Sequence, residues 1–203
     1  MNKQQPVVLV LAAGRGQRFR GRGHKLTQAL QGSTVLGTTL RNAQGTGLRV
    51  MAVCSREVAG VARQHLGQGD VIVLPERNEA GAALPWGLGH SIAAGVTASG
   101  DAAGWLIWPG DMPFVQSKTG LAVAEAMQNY PIAFAQYKWQ RGHPVGFNAE
   151  LVSELMGLTG DEGAKRLLSR YPAQGVELDD AGILQDVDTV EDLDRLRGEA
   201  EAD

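Results

Sequence analysis

Apolar and β-branched residues recur along this chain in short continuous runs, at residues 7–11, 48–54, 71–74, 105–108 and 132–136. Runs this short, without polar alternation, predict strands buried on both faces. Between and after them the apolar spacing is helical, predicting helices over 35–43, 57–66, 91–98, 118–128, 149–156, 164–169 and 190–197. Thr189, followed three residues later by Asp192, marks a helix N-cap with an acidic first turn. The alternation of element types predicts an α/β fold: a single three-layer domain with a mainly parallel, mixed sheet and helices on both faces.

Length agrees with one core. The 203 residues suffice for one substantial α/β domain and are too few for two ordinary ones. That domain is assigned residues 1–197, with an acidic tail at 198–203 expected to fray. Nineteen Lys and Arg against 22 Asp and Glu leave a formal charge of -3. Such a balance carries no electrostatic footprint for nucleic acid or for an anionic membrane. No run reaches the roughly 20 apolar residues of a membrane span, and the start lacks the pattern of a secretory signal. A cytoplasmic location is expected. Cys54 is the sole cysteine, which excludes an internal disulfide and a Cys-rich zinc site and leaves it as a small core residue. His24 and His65 share no metal-ligand spacing with each other or with Cys54.

In open sheets of this kind ligands collect at the carboxyl edge of the strands, where strand order reverses. That singles out the segments 12–25 and 109–113. The first lies within LVLAAGRGQRFRGRGHKL, residues 9–26. It is not a Walker A loop: no Gly-Lys-Ser/Thr stands at the required distance from Gly16, and Lys25 is followed by Leu26. It is not a dinucleotide loop either, because Phe19 occupies the place of the third glycine. What remains is a turn in which Ala12, Ala13, Gly14 and Gly16 let a ligand approach the backbone while Arg15, Arg18 and Lys25 supply charge. Main-chain N–H groups cradle phosphate oxygens in such loops, and the cations offset their charge. A nucleoside triphosphate fits; a tight turn with solvated arginines is the alternative.

The stretch from Leu11 to Phe19, followed by Lys25-Leu26, resembles the signature of the nucleotidyltransferases with a molybdopterin-guanylyltransferase-like, Rossmann-like fold. So do, in order, the segments 87–96, 109–113 (Pro-Gly-Asp-Met-Pro), 142–145, 160–164 and 186–189. Together they are similar to the molybdenum cofactor cytidylyltransferase branch over nearly the whole chain. The resemblance implies a nucleotide-binding part at roughly 1–115 and an acceptor-binding part at roughly 116–197.

Asp111 follows an apolar strand in a turn stiffened by Pro109 and Pro113, where its carboxylate can hold a cation or merely cap the turn. Mg2+ suits it, since that ion takes few carboxylates and fills its shell with water and phosphate oxygens. The resemblance makes Asp111 the metal ligand, with Asp188 as the second; Asp186 competes for that role, and Asp188 is equally suited to helix capping. Gly89 and Ser91 belong, by resemblance, to the nucleotide pocket, although Ser91 also suits an N-cap. His143 is assigned to an anionic acceptor on the same ground. Trp105 and Trp108 are expected to pack the sheet, while Trp86 and Trp139 fall in loops that can meet an aromatic ligand.

The reaction implied is transfer of CMP from CTP to a phosphorylated acceptor, with molybdopterin as the acceptor and pyrophosphate released. Arg15, Lys25 and Mg2+ would stabilise the moving charge, Asp111 would be catalytic through the metal it holds, and Leu11 would join the nucleotide wall. CTP is implied because Ala12-Ala13 resembles the cytidylyl form of the loop, where the guanylyl branch has Ala-Gly. A molybdenum hydroxylase is the implied partner, as user of the product. Two rivals stand beside this reading: a transferase with a sugar phosphate or other phosphorylated acceptor, and a carrier of the cofactor without catalysis. Thr27, the Ser33-Thr34-Val35 stretch, Gly146 and Lys165 depart from the family pattern, chiefly on the acceptor side.

Overall fold

The computed structural model describes residues 4–14, 16, 18–76, 82, 84 and 86–200. In chain order it comprises β1 (Val7–Ala12), the two-residue strands β2 (Ala29–Leu30) and β3 (Ser33–Thr34), α1 (Val35–Gln44), β4 (Arg49–Cys54), α2 (Ala59–His65) and β5 (Val71–Val73). There follow α3 (Leu88–Thr97), β6 (Gly104–Pro109), α4 (Ser117–Ala126), β7 (Ile132–Tyr137), β8 (Gln140–Asn148), α5 (Val152–Met156), α6 (Lys165–Arg170), β9 (Ala173–Glu177) and α7 (Val190–Ala200).

One seven-stranded sheet, in the order β5-β4-β1-β6-β8-β7-β9, organises the chain. Every pairing is parallel except those of β8, which runs against both β6 and β7. Alternation along the strands explains the layers. In β1, Val8 and Val10 join a core formed with Leu36 and Leu40 of α1, Val123 of α4 and Leu193 and Leu196 of α7. Val7 and Leu9 face the opposite core, with Ile92 of α3, Leu155 of α5 and Leu167 of α6. Trp105 and Trp108 divide the same way, one into each core, both fully buried. The expected three-layer fold is therefore present, built by strands that are apolar on both faces.

Besides the short β2–β3 pair, two strands of the seven-stranded sheet were not expected. β8 reads QRGHPVGFN, where Gly, His, Pro and Gly interrupt any regular pattern, and it becomes a strand because β6 and β7 supply partners on both sides. β9 is short and glycine-containing, and it adds to the sheet edge through its pairing with β7. At the carboxyl end, α7 continues through Ala200, past the point where fraying was expected, and 201–203 lie outside the described residues.

β1 lies between β4, reached by a crossover to one side, and β6 on the other, so strand order reverses at β1. The carboxyl ends of β1 and β6 thus flank the crevice in which doubly wound sheets bind ligands. Their turns are tied directly: Gly110 donates its backbone N–H to the carbonyl of Leu11 at 2.9 Å. A Cβ at Gly110 would stand 3.0 Å from that oxygen and 3.3 Å from the Ala12 Cβ, so the close approach uses the missing side chain.

Candidate active site

After β1 the chain leaves the sheet through Ala13 and Gly14. Gly16 adopts φ +57°, a left-handed conformation open to glycine at little cost. It accepts the Phe19 N–H at 2.9 Å, closing a turn that brings the chain back. The returning segment is fixed by His24, which is buried. Its Nδ1 accepts the Leu26 N–H at 3.2 Å. The proton of the neutral ring therefore resides on Nε2, which donates to the Gly14 carbonyl at 3.0 Å. One imidazole thus clasps both ends of the turn and starts the 3-10 helix Lys25–Thr27.

Lys25 projects from that helix. Its Nζ donates to Asp111 Oδ2 and to Asp188 Oδ1, each at 2.7 Å. Burial alone would push the ammonium's pKa down, but Asp111 and Asp188 outweigh it and hold the value above the ordinary lysine range. Arg18 Nη1 pairs with the other Asp188 oxygen at 2.6 Å, from a largely exposed position. Asp188 is free to do this because Thr189 is the cap: its Oγ1 accepts the Asp192 N–H at 3.1 Å, and Asp192 Oδ2 accepts the Thr189 N–H at 2.9 Å. Asp186, the competing carboxylate, is pushed upward in pKa by partial burial and then by the charges of Asp188 and Asp111; unlike those two, it makes no contact with Lys25.

These groups border a cleft of about 640 Å³ whose wall includes Leu11, Ala12, Ala13, Gly14, Gly16, Arg18, Lys25, Ser91, Asp111, His143 and Asp188. The structure thus brings together most of the residues singled out from sequence. Arg15 lies outside the described residues. Gly89 is not among the residues lining the cleft: its N–H donates to the Gly160 carbonyl at 2.9 Å, and a Cβ there would stand 2.6 Å from the Thr159 oxygen. It packs α3 against the 158–160 turn.

Ser91 is buried beside the cleft, its Oγ donating back to the Gly87 carbonyl at 3.3 Å. Gly87 in turn gives its N–H to His90 Nδ1 at 3.2 Å. So His90, one turn into α3, serves its amino end where Ser91 was considered for capping. His143 is half-buried and its Nδ1 has no hydrogen-bond partner. Burial pushes its pKa down, Asp111 opposing and Arg141 reinforcing the shift, so the ring is neutral at pH 7. Trp86 lines the cleft, whereas Trp139, at 85% exposure on the β7–β8 turn, does not.

Asp161, Leu88 and Ile107 also line the cleft and were not singled out as site residues. Only Asp161 carried a usable signal, an acidic residue within a glycine-flanked turn. Among the described residues no group of three or more His, Cys, Asp or Glu forms a metal cage. Two hard carboxylate oxygens converging on one cationic nitrogen nevertheless fit a divalent ion that completes its shell from phosphate and water. No helix among the described residues is long and apolar enough to cross a membrane.

Residues 8–176 match the family described as the MobA-like NTP transferase domain. The purine catabolism protein PucB of Bacillus subtilis is 34% identical over 116 residues, which are 55% of this chain and 56% of that protein. The match therefore spans little more than half of the relative's length. The crystal structure of Rv0371c from Mycobacterium tuberculosis is similar with a TM-score of 0.78 at 27% identity, covering 96% of this chain and 98% of that one. A structure of Rv0371c in complex with manganese gives 0.73 at 25% identity with the same coverage. A nucleotidyl transferase from Methanothermobacter shares the fold, with a TM-score of 0.76 at 24% identity over 98% of this chain and 99% of its own.

Proposed function

The chain belongs to the MobA-like NTP transferase domain family, and on that premise we propose that it moves CMP from CTP to a phosphorylated acceptor, molybdopterin, releasing pyrophosphate. The observation that carries the reading is the meeting of Lys25, Asp111 and Asp188 beside the wall formed by Leu11, Ala12, Ala13, Gly14 and Gly16 in a single cleft.

A phosphate monoester has a second pKa near 6, so the acceptor is already an anionic nucleophile at neutral pH. The protein then needs no general base; it must align two anions and stabilise charge that moves toward the leaving pyrophosphate. Backbone groups of Ala12, Ala13, Gly14 and Gly16 receive the triphosphate, and Lys25, Arg15 and Arg18 supply positive charge. Asp111 and Asp188 would hold the divalent ion, Mg2+, which would supply neutralisation of phosphate oxygens. Family membership and the manganese complex of Rv0371c support dependence on a divalent metal. Ser91 faces the nucleoside, and Ala13 in the cytidylyl form of the loop selects CTP. His143, neutral and lining the cleft, donates a ring N–H to the acceptor phosphate.

The test is pyrophosphate release by the purified protein with molybdopterin, Mg2+ and either CTP or GTP, each component omitted in turn. Release only in the complete CTP mixture is expected. A clear preference for GTP overturns the donor; no release with any nucleotide overturns transfer and leaves a cofactor carrier. Release with CTP and a sugar phosphate, but none with molybdopterin, overturns the acceptor.

A further inference from the structure

In the cleft the anions and cations assigned to catalysis are engaged with one another. Lys25 Nζ sits 2.7 Å from both Asp111 Oδ2 and Asp188 Oδ1, and Arg18 takes the second Asp188 oxygen at 2.6 Å. The carboxylates that would hold a metal are thus neutralised by cations that a polyphosphate would need. We propose that Lys25 is an internal counter-ion that closes this site to a lone divalent cation, so that the ligand it accepts is the metal–nucleotide chelate, bound as a unit.

Mg2+ approaches carboxylate oxygens to 2.0–2.1 Å. An ammonium already bonded to both carboxylates and a divalent ion that those carboxylates would hold compete for the same oxygens and repel each other. A metal arriving alone must therefore displace Lys25 from both of the carboxylates that compensate its burial. A metal-free triphosphate faces the converse difficulty, because drawing Lys25 away leaves Asp111 uncompensated, and Asp188 held by Arg18 alone, beside added negative charge. The chelate meets both needs together: its metal takes the carboxylates and its phosphate oxygens take Lys25 and Arg18. Metal and polyphosphate then bind with positive coupling, each raising the affinity for the other.

The fold lets the exchange occur at the side-chain head alone. His24 anchors the Lys25 backbone through Gly14 and Leu26. Lys25 carries its charge on a flexible four-carbon stem. That stem runs past Gly16, where a Cβ would stand 3.4 Å from the Lys25 Cγ.

This inference rests on the metal role given above to Asp111 and Asp188, and its test uses Mn2+ as the probe, with no nucleotide, acceptor or turnover. Free Mn2+ is titrated with protein and followed by electron paramagnetic resonance for the wild type, Lys25→Met and the double variant Lys25→Met with Asp111→Asn. Lys25→Met is expected to bind Mn2+ at least about tenfold more tightly than the wild type, and Asp111→Asn to remove the gain. Equal affinities in wild type and a folded Lys25→Met, or a gain that survives Asp111→Asn, overturn the proposal. Lys25→Gln, polar and uncharged, repeats the comparison should the Met variant fail to fold. Failure of CMP transfer would leave the Mn2+ result intact, and equal Mn2+ affinities would leave the transfer reading intact.

Discussion

Val187 donates its backbone N–H to the carbonyl of Asp111 at 2.9 Å, which fastens the turn after β6 to the segment leading into α7. The two carboxylates that meet at Lys25 are therefore registered by main chain, independently of their own side chains. Removing one side chain should spare the scaffold.

Asp111→Ala is accordingly expected to retain the wild-type far-UV circular dichroism spectrum and to lose pyrophosphate release by about 10³-fold or more. Lys25→Ala should lower the rate by about 10²-fold, the scale of deleting one preorganised charge-stabilising group. A folded variant with wild-type turnover would remove that residue from the mechanism.

Thr189→Ala deletes the acceptor for the Asp192 N–H and the donor to Asp192 Oδ2, so the first turn of α7 loses its reciprocal cap. An expected loss of about 1 kcal/mol follows from typical cap deletions. Urea unfolding measures it; an unchanged midpoint and slope would show that the cap contributes nothing.

Gly89→Ala places a methyl group against the Thr159 backbone, with oxygen, carbon and nitrogen at 2.6, 2.8 and 2.9 Å. Backbone cannot give way as a side-chain tip can, so a cost of about 1–3 kcal/mol is expected without any nucleotide present. A thermal melt of the free protein checks this. A variant as stable as wild type but weakened in CTP binding would instead return Gly89 to the nucleotide pocket.

Cys54 is fully buried, and burial pushes its thiol up to about 12, with Arg63 opposing weakly. Its folded pKa exceeds the unfolded one, so the neutral thiol contributes stability that is complete below about pH 9 and declines as pH rises toward 12. At pH 8 a thiol reagent should label the protein only as fast as it unfolds. Cys54→Ala should lose less stability than wild type between pH 8 and pH 10 in paired denaturant titrations. Rapid labelling of the native protein would contradict the burial.

Recognition of strands and helices from sequence followed how much of each element's identity was local. Residues 7–11 and 105–108 declared themselves because a doubly buried strand must be apolar throughout. α1, α4 and α7 were visible through helical apolar spacing, with ends differing by a few residues. β8 and β9 were illegible because their partners, and not their own residues, make them strands. α3 began earlier than expected because Gly87 finds its acceptor in the His90 side chain, a contact that no periodicity displays.

For the site, the sequence by itself determined the chemistry available: small residues and cations after the first strand, an aspartate in a proline-bound turn after the fourth expected strand, and another before the last helix. Those assignments follow from residue type and from distance along the chain, which a linear reading contains. Only the tertiary structure decided that Asp111 and Asp188 converge on one ammonium, that Thr189 takes the capping role and frees Asp188, and that Gly89 packs against Thr159. Each depends on segments far apart in sequence meeting at the carboxyl edge of one sheet. Hydrogen bonds and ion pairs act only over a few ångströms, so the meeting exists in the folded chain and nowhere in the order of its residues.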